Sequence, residues 1–255
     1  MLSKAGLNAA VLTALAAALA QAESETAAPL HFEAASLKVA ADQNIVENRP
    51  KRSVGRLRWN PDLLRMISYA YQMESWRISD TPGLQTIYTL DATTRPDTTQ
   101  DQVRLMLQTL LAERLHLQTH RVTRHISEGY SITAGKGGPK LTPSQPAKPE
   151  AESGEFDDGF VIGRAPTADT TVLRGHNASM LQLAEYLQRS LDTSVVDHTN
   201  LTGRYDFELT CAREGPRDSP ELLASCVKKA GLAMKKYKGP VEFLVIDHLG
   251  PLVEN

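Results

Sequence analysis

Along the chain, apolar positions first recur with helical spacing and then with strand spacing, and this order occurs once in each half of the sequence. Val103, Met106, Leu107 and Leu110 form one continuous helical stripe, and Thr99 with Gln102 has the capping-box pattern at its start. Alternation of apolar and polar residues predicts strands over 88–92, 129–133, 205–209 and 241–246. The pattern therefore predicts an α+β fold.

The amino-acid sequence of the second half resembles that of the first half. Placing Asn60 on Asn177 aligns 60–93 with 177–210 without a gap, and seven aligned positions are identical. Asn60 and Asn177 are predicted to cap the first helix of each half. Ser219, followed by Pro220, is predicted to start the last helix, and Gly231 is predicted to end it. We expect two tandem repeats of a small β-α-β-β-α-β unit, because self-similarity at a fixed offset indicates a duplicated module.

The repeats are predicted to occupy residues 23–141 and 161–255. Between them, residues 142–160 carry three prolines and several acidic residues with little to bury, so we expect a flexible Pro-rich linker there. The interpretation that follows is a protein with two lobes.

The N-terminal residues have the pattern of a secretory signal peptide. Lys4 precedes an apolar run, and small residues end the segment at Ala20 and Ala22, before Glu23. The alternative is a membrane anchor, but the run is shorter than the roughly 20 residues that span a bilayer. We expect cleavage between Ala22 and Glu23 and a periplasmic or secreted protein without a membrane span.

Cys211 and Cys226 are the only cysteines in the 255 residues. In an oxidising compartment they could form a disulfide, and the alternative is two buried thiols. Cys211 continues the alternation of a predicted strand, and Cys226 lies on the apolar face of a predicted helix, so both side chains are expected to face the same interior. The sequence leaves these two alternatives open.

Composition excludes some functions. The formal net charge is -2 and aromatic residues make up 5% of the chain, which argues against a nucleic-acid binder. The serine-hydrolase elbow, the H-E-x-x-H zinc motif and the phosphate-binding P-loop are absent from the sequence. We expect no cofactor, no metal and no catalytic residues, and the enzyme assignment stays open, with a non-catalytic protein favoured.

Histidines supply the few candidates for site chemistry. His116 and His120 could share a helix face with Glu113, but Leu115 and Leu117 alternate there and predict that a helix ends and a strand begins. Asp197 and His198 are adjacent in an extended segment and point to opposite sides, so we expect the pair to lead into the turn 199–203 rather than to act as a catalytic dyad.

Much of the sequence resembles an exported, soil-associated acidobacterial protein family of unknown function. The segments that carry the resemblance are 32–36, 88–92, 111–117, 136–141, 194–210, 237–248 and 251–255. The order of the predicted elements is more distantly similar to the short N-terminal domain of secretins and TonB-dependent receptors. This second resemblance implies protein contact in the cell envelope and assigns no residues.

The hypothesis favoured by the sequence is thus an exported, non-catalytic protein-interaction module of the cell envelope, with an envelope protein as its partner. The alternative is a small-molecule binder or an enzyme with a pocket between the two lobes, for which His116, His120 or His198 would be lining candidates. A purely structural envelope protein is a third hypothesis. The sequence alone gives no oligomeric state.

Overall fold

The computed structural model describes residues 28–145, 155–156, 159–167, 169–212 and 219–253. In this part of the chain it is a mixed α/β fold with four α-helices and several sheets. The predicted signal peptide, including Ala22 and Glu23, lies outside the described residues. None of the helices within these ranges is long and apolar enough to cross a membrane.

The elements alternate along the chain, with two helices in each half. The first half contains β1 Ala34–Val39, β2 Lys51–Ser53, β3 Arg56–Trp59, α1 Leu63–Tyr71, β4 Tyr88–Thr93, α2 Gln100–Leu115, β5 Gln118–Ile126, β6 Tyr130–Ala134 and β7 Thr142–Pro143. The second half contains β8 Glu155–Phe156, β9 Phe160–Thr167, β10 Thr170–Ala178, α3 Met180–Leu191, β11 Val195–Asp197, β12 Tyr205–Ala212, α4 Pro220–Lys229, β13 Leu232–Lys236 and β14 Gly239–His248. The four predicted strands correspond to β4, β6, β12 and β14, which confirms them.

Two helix starts follow the sequence prediction. The Thr99 hydroxyl accepts the Gln102 backbone N–H, and the Gln102 side chain accepts the Thr99 N–H, so α2 begins with a capping box. Ser219 caps α4 with Pro220 in the first turn, and Gly231 follows the helix with a φ of +71°. Short-range hydrogen bonds decide these positions, which is why the sequence predicts them.

The predicted caps at Asn60 and Asn177 are wrong by two residues. Asp62 and Ser179 cap α1 and α3, because their side chains accept the backbone N–H groups of Arg65 and Gln182. The backbone N–H of Asn60 donates to Glu47 Oε2 at 2.9 Å, and that of Asn177 to Asp206 Oδ1 at 2.8 Å. Both asparagines are thus held outside the helices by residues from other segments, and Asn177 has a φ of +44° at an irregularity of β10.

Two hydrophobic cores define two lobes. The first lobe consists of β1–β5, α1, α2 and β14, and an antiparallel sheet of order β1-β4-β3-β2-β8 forms one of its walls. The second lobe consists of β6, β7, β9–β13, α3 and α4, with sheets of order β7-β12-β10-β9 and β11-β6-β13. Each core therefore combines segments from both halves of the chain.

The lobes exchange strands. β5 pairs antiparallel with β14, from the end of the chain, and β6 pairs with β11 and β13 of the second half. As a result, Leu244 of β14 lies in the first core and Ile132 of β6 in the second, at 1% and 0% exposure. The backbone of Ser79 donates to the Leu244 carbonyl at 2.9 Å, which holds β14 on the first lobe.

The exchange means that the hydrophobic cores do not follow the predicted division into 23–141 and 161–255. That division, and the tandem duplication from which it came, stay predictions about the origin of the two halves. In the predicted linker 142–160, Thr142–Pro143 pairs with β12, Glu155–Phe156 pairs with β2, and Phe160 starts β9. These positions are therefore paired strands rather than free linker, and residues 146–154 and 157–158 lie outside the described residues.

Cys211 and Cys226 form a disulfide bond, with their Cα atoms 5.5 Å apart. The bond joins β12 to α4, and both residues are buried in the second core. The two cysteines are separated by 15 positions in the sequence. By the chain-entropy model, a crosslink that closes a loop of this length stabilises the fold by about 3 kcal/mol.

Candidate functional site

A cavity of about 650 Å³ lies between the two lobes. Its volume is within the range of roughly 300–1,000 Å³ that is typical of small-molecule sites. Residues of α1 and of the start of α2 line it on the first lobe, and residues of β9 and α3 line it on the second. A junction between two lobes is a common place for a ligand pocket.

Helices α1 and α3 present corresponding faces to the cavity. The lining residues of α1 and its C-cap are Leu64, Arg65, Ser68, Tyr69 and Gln72, and those of α3 are Leu181, Gln182, Glu185, Gln188 and Arg189. In each set the residues recur at intervals of three or four positions, so they share one face. The offset that places Asn60 on Asn177 also places Leu64 on Leu181 and Ser68 on Glu185.

The lining is rich in arginine and glutamine. Two acidic residues, Asp62 and Glu185, accompany the basic ones, and Asp62 forms an ion pair with Arg65. The basic lining residues are Arg49, Arg65, Arg104, Arg189 and Arg204, and the glutamines are Gln72, Gln85, Gln100, Gln182 and Gln188. The wall thus carries an excess of guanidinium groups and many hydrogen-bonding amides.

Two of the arginines join the lobes beside the cavity. Arg204 donates to the Asn177 carbonyl at 2.7 Å and to the side chain of Gln100 on α2. Arg49 donates to the Gly159 carbonyl and lies over the Phe160 ring, 5.5 Å from its centroid. These contacts, together with the exchanged strands, fix the width of the cavity.

Glu185 is the acidic group with the strongest electrostatic perturbation at the cavity. The pKa of its carboxyl group is raised to about 7, mainly by burial, and the carboxylate of Glu74 contributes to the increase. Arg189 on the same helix, and Ser68 and Arg65 on α1, act in the opposite direction. A carboxyl group with a pKa near 7 changes its charge in the physiological range.

Glu74 is 1% exposed, and its carboxylate is close enough to Glu185 to affect the pKa of that residue. Burial raises the pKa of its carboxyl group, while an ion pair with Arg77 at 2.8 Å opposes the increase and Asp197 of the second lobe adds to it. The acidic groups of both lobes therefore approach one another at this junction.

We expect Glu185→Gln to stabilise the protein at pH 8 and to have little effect at pH 5. The raised pKa means that the native state holds the proton more tightly than the unfolded chain, so this stabilising contribution is present below about pH 4.5 and is lost as the pH rises through about 7. The neutral amide does not pay the desolvation penalty of the carboxylate, and we expect a gain of about 1–3 kcal/mol in the free energy of unfolding at pH 8.

Urea unfolding at pH 5 and pH 8 measures this difference. The exposed Glu128→Gln is the matched control, and its stability should follow that of the unsubstituted protein at both pH values. The prediction would be contradicted if the free energy of unfolding had the same pH dependence in Glu185→Gln as in the unsubstituted protein.

The histidines that the sequence offered as lining candidates lie elsewhere. His116 follows the last residue of α2 with a φ of +48°, so the helix ends where the alternation of Leu115 and Leu117 predicts. His120 pairs with Asp247 at 2.7 Å on the exposed β5–β14 ribbon, and the His198 ring packs against Tyr237. None of the three lines the cavity between the lobes.

Asp197 has the predicted turn role. Its Oδ1 accepts the backbone N–H of Thr199 at 2.8 Å and the Thr199 hydroxyl at 2.7 Å. Within the described ranges, no three His, Cys, Asp or Glu side chains are grouped in a way that could hold a metal ion.

Sequence reasoning missed the residues that the cavity brings together. Arg104 and Glu185 are separated by about eighty positions, and each reads as an ordinary polar position of an amphipathic helix. The alignment of Asn60 with Asn177 contained one useful indication, because it pairs Ser68 with Glu185 and Gln72 with Arg189, all four of which line the cavity.

Comparison with known proteins gives a family but no activity. Neither a curated protein nor a solved structure matches the chain. The family model of DUF3738, described as a protein of unknown function, matches residues 64–249, which is more than half of the chain and includes most of the residues that line the cavity. The chain therefore belongs to the DUF3738 family.

Proposed function

We propose that this protein is an exported binding protein that holds a small polar molecule in the cavity between its lobes. The observation that carries the proposal is the cavity itself, which has the volume of a ligand site and is lined from both lobes by arginine and glutamine side chains. Export is supported by the signal-peptide pattern of residues 1–22. The proposal requires no catalytic step.

The lobe junction favours a preformed site. Exchanged strands and the contacts of Arg49 and Arg204 hold the two walls in place before any ligand arrives. A preorganised site loses less conformational entropy on binding than one that must assemble. This supports ligand binding over a role in which the lobes move independently.

Blocking the cavity tests the proposal. We expect some members of a library of small polar metabolites to raise the thermal unfolding midpoint of the full-length mature chain, because a ligand at about 100 times its Kd stabilises by about 2.7 kcal/mol. Leu181→Trp places an indole in the cavity wall and should abolish the shift. Leu105→Trp, on a side chain 49% exposed and outside the cavity, should retain it.

The proposal fails if no compound in the library stabilises the protein. It also fails if Leu181→Trp, still folded by circular dichroism, keeps the same ligand-induced shift, because the compound would then bind elsewhere.

A second candidate is the contact with an envelope protein that the sequence favoured. The observation in its favour is β5, whose nine residues are mostly exposed and pair on one edge, with β14, in the described part of the chain. Open strand edges are common docking sites for extended peptides. Partner binding at β5 would persist in Leu181→Trp, which separates the two candidates.

A further inference from the structure

Strand β5 has an open edge. It pairs with β14 on one side, and within the described residues no other strand and no other backbone group bonds to it on the opposite side. Six of its nine residues are exposed, and these include sequence neighbours whose side chains point to opposite faces of the strand. The open edge is therefore accessible from both faces of the sheet.

The contacts of β14 show which backbone groups of β5 point to the open edge. The carbonyl of Glu242 accepts a hydrogen bond from Arg77 Nε at 2.6 Å, and the carbonyl of Leu244 accepts one from the Ser79 N–H at 2.9 Å. Both donors lie on the side of β14 that faces away from β5, where Ile78 forms a bridge with Leu244. Two residues directly opposite each other in an antiparallel pair exchange both of their hydrogen bonds or neither.

Arg121 and Thr123 of β5 lie opposite these two residues of β14. Their backbone N–H and C=O groups therefore point away from β14 as well, toward the open edge. The same alternation includes His125, which lies opposite Pro240, a residue without an N–H group. Every second residue of β5 thus presents a donor and an acceptor outward, which is the pattern that an added strand requires.

The charge of β5 selects the kind of strand that could be added. Its nine residues include two arginines and two histidines but no aspartate or glutamate. Arg124 and His125 lie opposite Val241 and Pro240, so β14 places no acidic residue directly across from them. Arg124 instead lies over the Phe243 ring, 5.4 Å from its centroid. Opposite charges on facing residues stabilise a strand pair, and like charges destabilise it.

The same charges disfavour a second copy of this chain at the edge. Because β5 has no acidic residue, two β5 strands paired with each other would lack an opposite charge for any arginine in every register. Charged side chains on an edge strand commonly prevent such self-pairing. The occupant expected from the charge is therefore an acidic segment of a different protein.

We propose that β5 binds an extended acidic segment of a partner protein, which adds as a strand to the open edge. The backbone of this segment bonds to Arg121, Thr123 and His125, and its carboxylates face Arg121 and Arg124. This inference rests on the second candidate function. It does not depend on a ligand between the lobes, because the nine residues of β5 do not line that cavity.

Three peptides of the same length as β5 test the class of partner by isothermal titration on the full-length mature chain with its disulfide. In each peptide threonine alternates with a second residue, which is glutamate, glutamine or lysine. We expect the glutamate peptide to bind about tenfold more tightly than the glutamine peptide at low ionic strength, and the lysine peptide to bind most weakly. Equal binding of the glutamate and glutamine peptides would overturn the acidic class.

Thr123→Pro tests strand addition separately from charge. The substitution removes an N–H that points to the open edge, a position at which an edge strand tolerates proline. The variant keeps every charge of β5 and should keep its circular dichroism spectrum, but it should bind the glutamate peptide at least about tenfold more weakly. Thr123→Val, which keeps the N–H, is the matched control. Unchanged binding in the folded Thr123→Pro would overturn pairing at this edge.

Arg124→Gln tests the charge without depending on the folding of the proline variant. It removes a cation from an exposed position, so we expect the preference for the glutamate peptide over the glutamine peptide to fall by about threefold. Arg95→Gln is the matched control, because Arg95 is exposed and pairs with Asp97 outside β5. An unchanged preference in Arg124→Gln would overturn the role of Arg124.

The outcomes separate this inference from the proposed function. If the glutamate and glutamine peptides bind equally and both lose binding in Thr123→Pro, the acidic class is wrong and β5 remains an edge for strand addition. If gel filtration shows dimers that Thr123→Pro dissociates, the occupant is a second copy and the inference is wrong. If no peptide binds, strand addition is wrong, and the cavity is judged separately by Leu181→Trp, which should leave peptide binding unchanged.

Discussion

Residues 28–150 and 151–255, expressed separately, are each expected to remain unfolded, whereas their coexpression should give one folded complex. The first fragment lacks β14, so β5 loses its partner and the first core loses Leu244 and Ile246. The second fragment lacks β6, which is the central strand of the β11-β6-β13 sheet and supplies Ile132. A core without one of its strands exposes apolar surface that folding must bury.

Circular dichroism and gel filtration of the separate and coexpressed fragments check this expectation. The break lies between β7 and β8, so each described strand stays intact in one fragment. A monomeric fragment 28–150 with a cooperative unfolding transition would contradict the prediction, because the first half would then close its own core, with β6 in the place of β14.

Leu244→Ala is expected to lower the free energy of unfolding by about 2–5 kcal/mol. Leu244 is 1% exposed and lies among residues of the first lobe, although it comes from the last strand of the chain. The substitution removes buried methyl groups and leaves a space that the surrounding core fills only in part. Chemical unfolding of the full-length chain measures the loss.

Leu105→Ala is the matched control, because it makes the same change on α2 at a side chain that is 49% exposed. It should change the free energy of unfolding by no more than about 0.5 kcal/mol. If Leu244→Ala were as mild as this control, β14 would not be part of the first core.

The local elements could be predicted because short-range interactions decide them. The capping box of Thr99 and Gln102, the start of α4 at Ser219 and the end of α2 before His116 each depend on neighbours within a few residues. The caps at Asn60 and Asn177 were wrong because the side chains of Glu47 and Asp206, both distant in sequence, bind their backbone N–H groups and hold them outside the helices.

The partners of the long strands could not be predicted in the same way. β5 and β6 are separated by three residues and suggest a hairpin, yet each pairs with a different strand of the second half. The alternation of apolar and polar residues indicates that a strand has one buried face, but it does not indicate which core buries that face.

The amino-acid sequence by itself determined the alternation of helices and strands, the ends of α2 and α4, the similarity in sequence of the two halves and the positions of the cysteines. Only the tertiary structure decided that β6 and β14 change lobes, that Cys211 bonds Cys226, and that Arg104, Glu185 and Gln188 line one cavity. The physical reason is range: hydrogen bonds and apolar spacing within a helix turn or strand are properties of neighbouring residues. The cavity, by contrast, exists only because the tertiary structure brings residues of α1 and α3, which are distant in sequence, to one junction between the lobes.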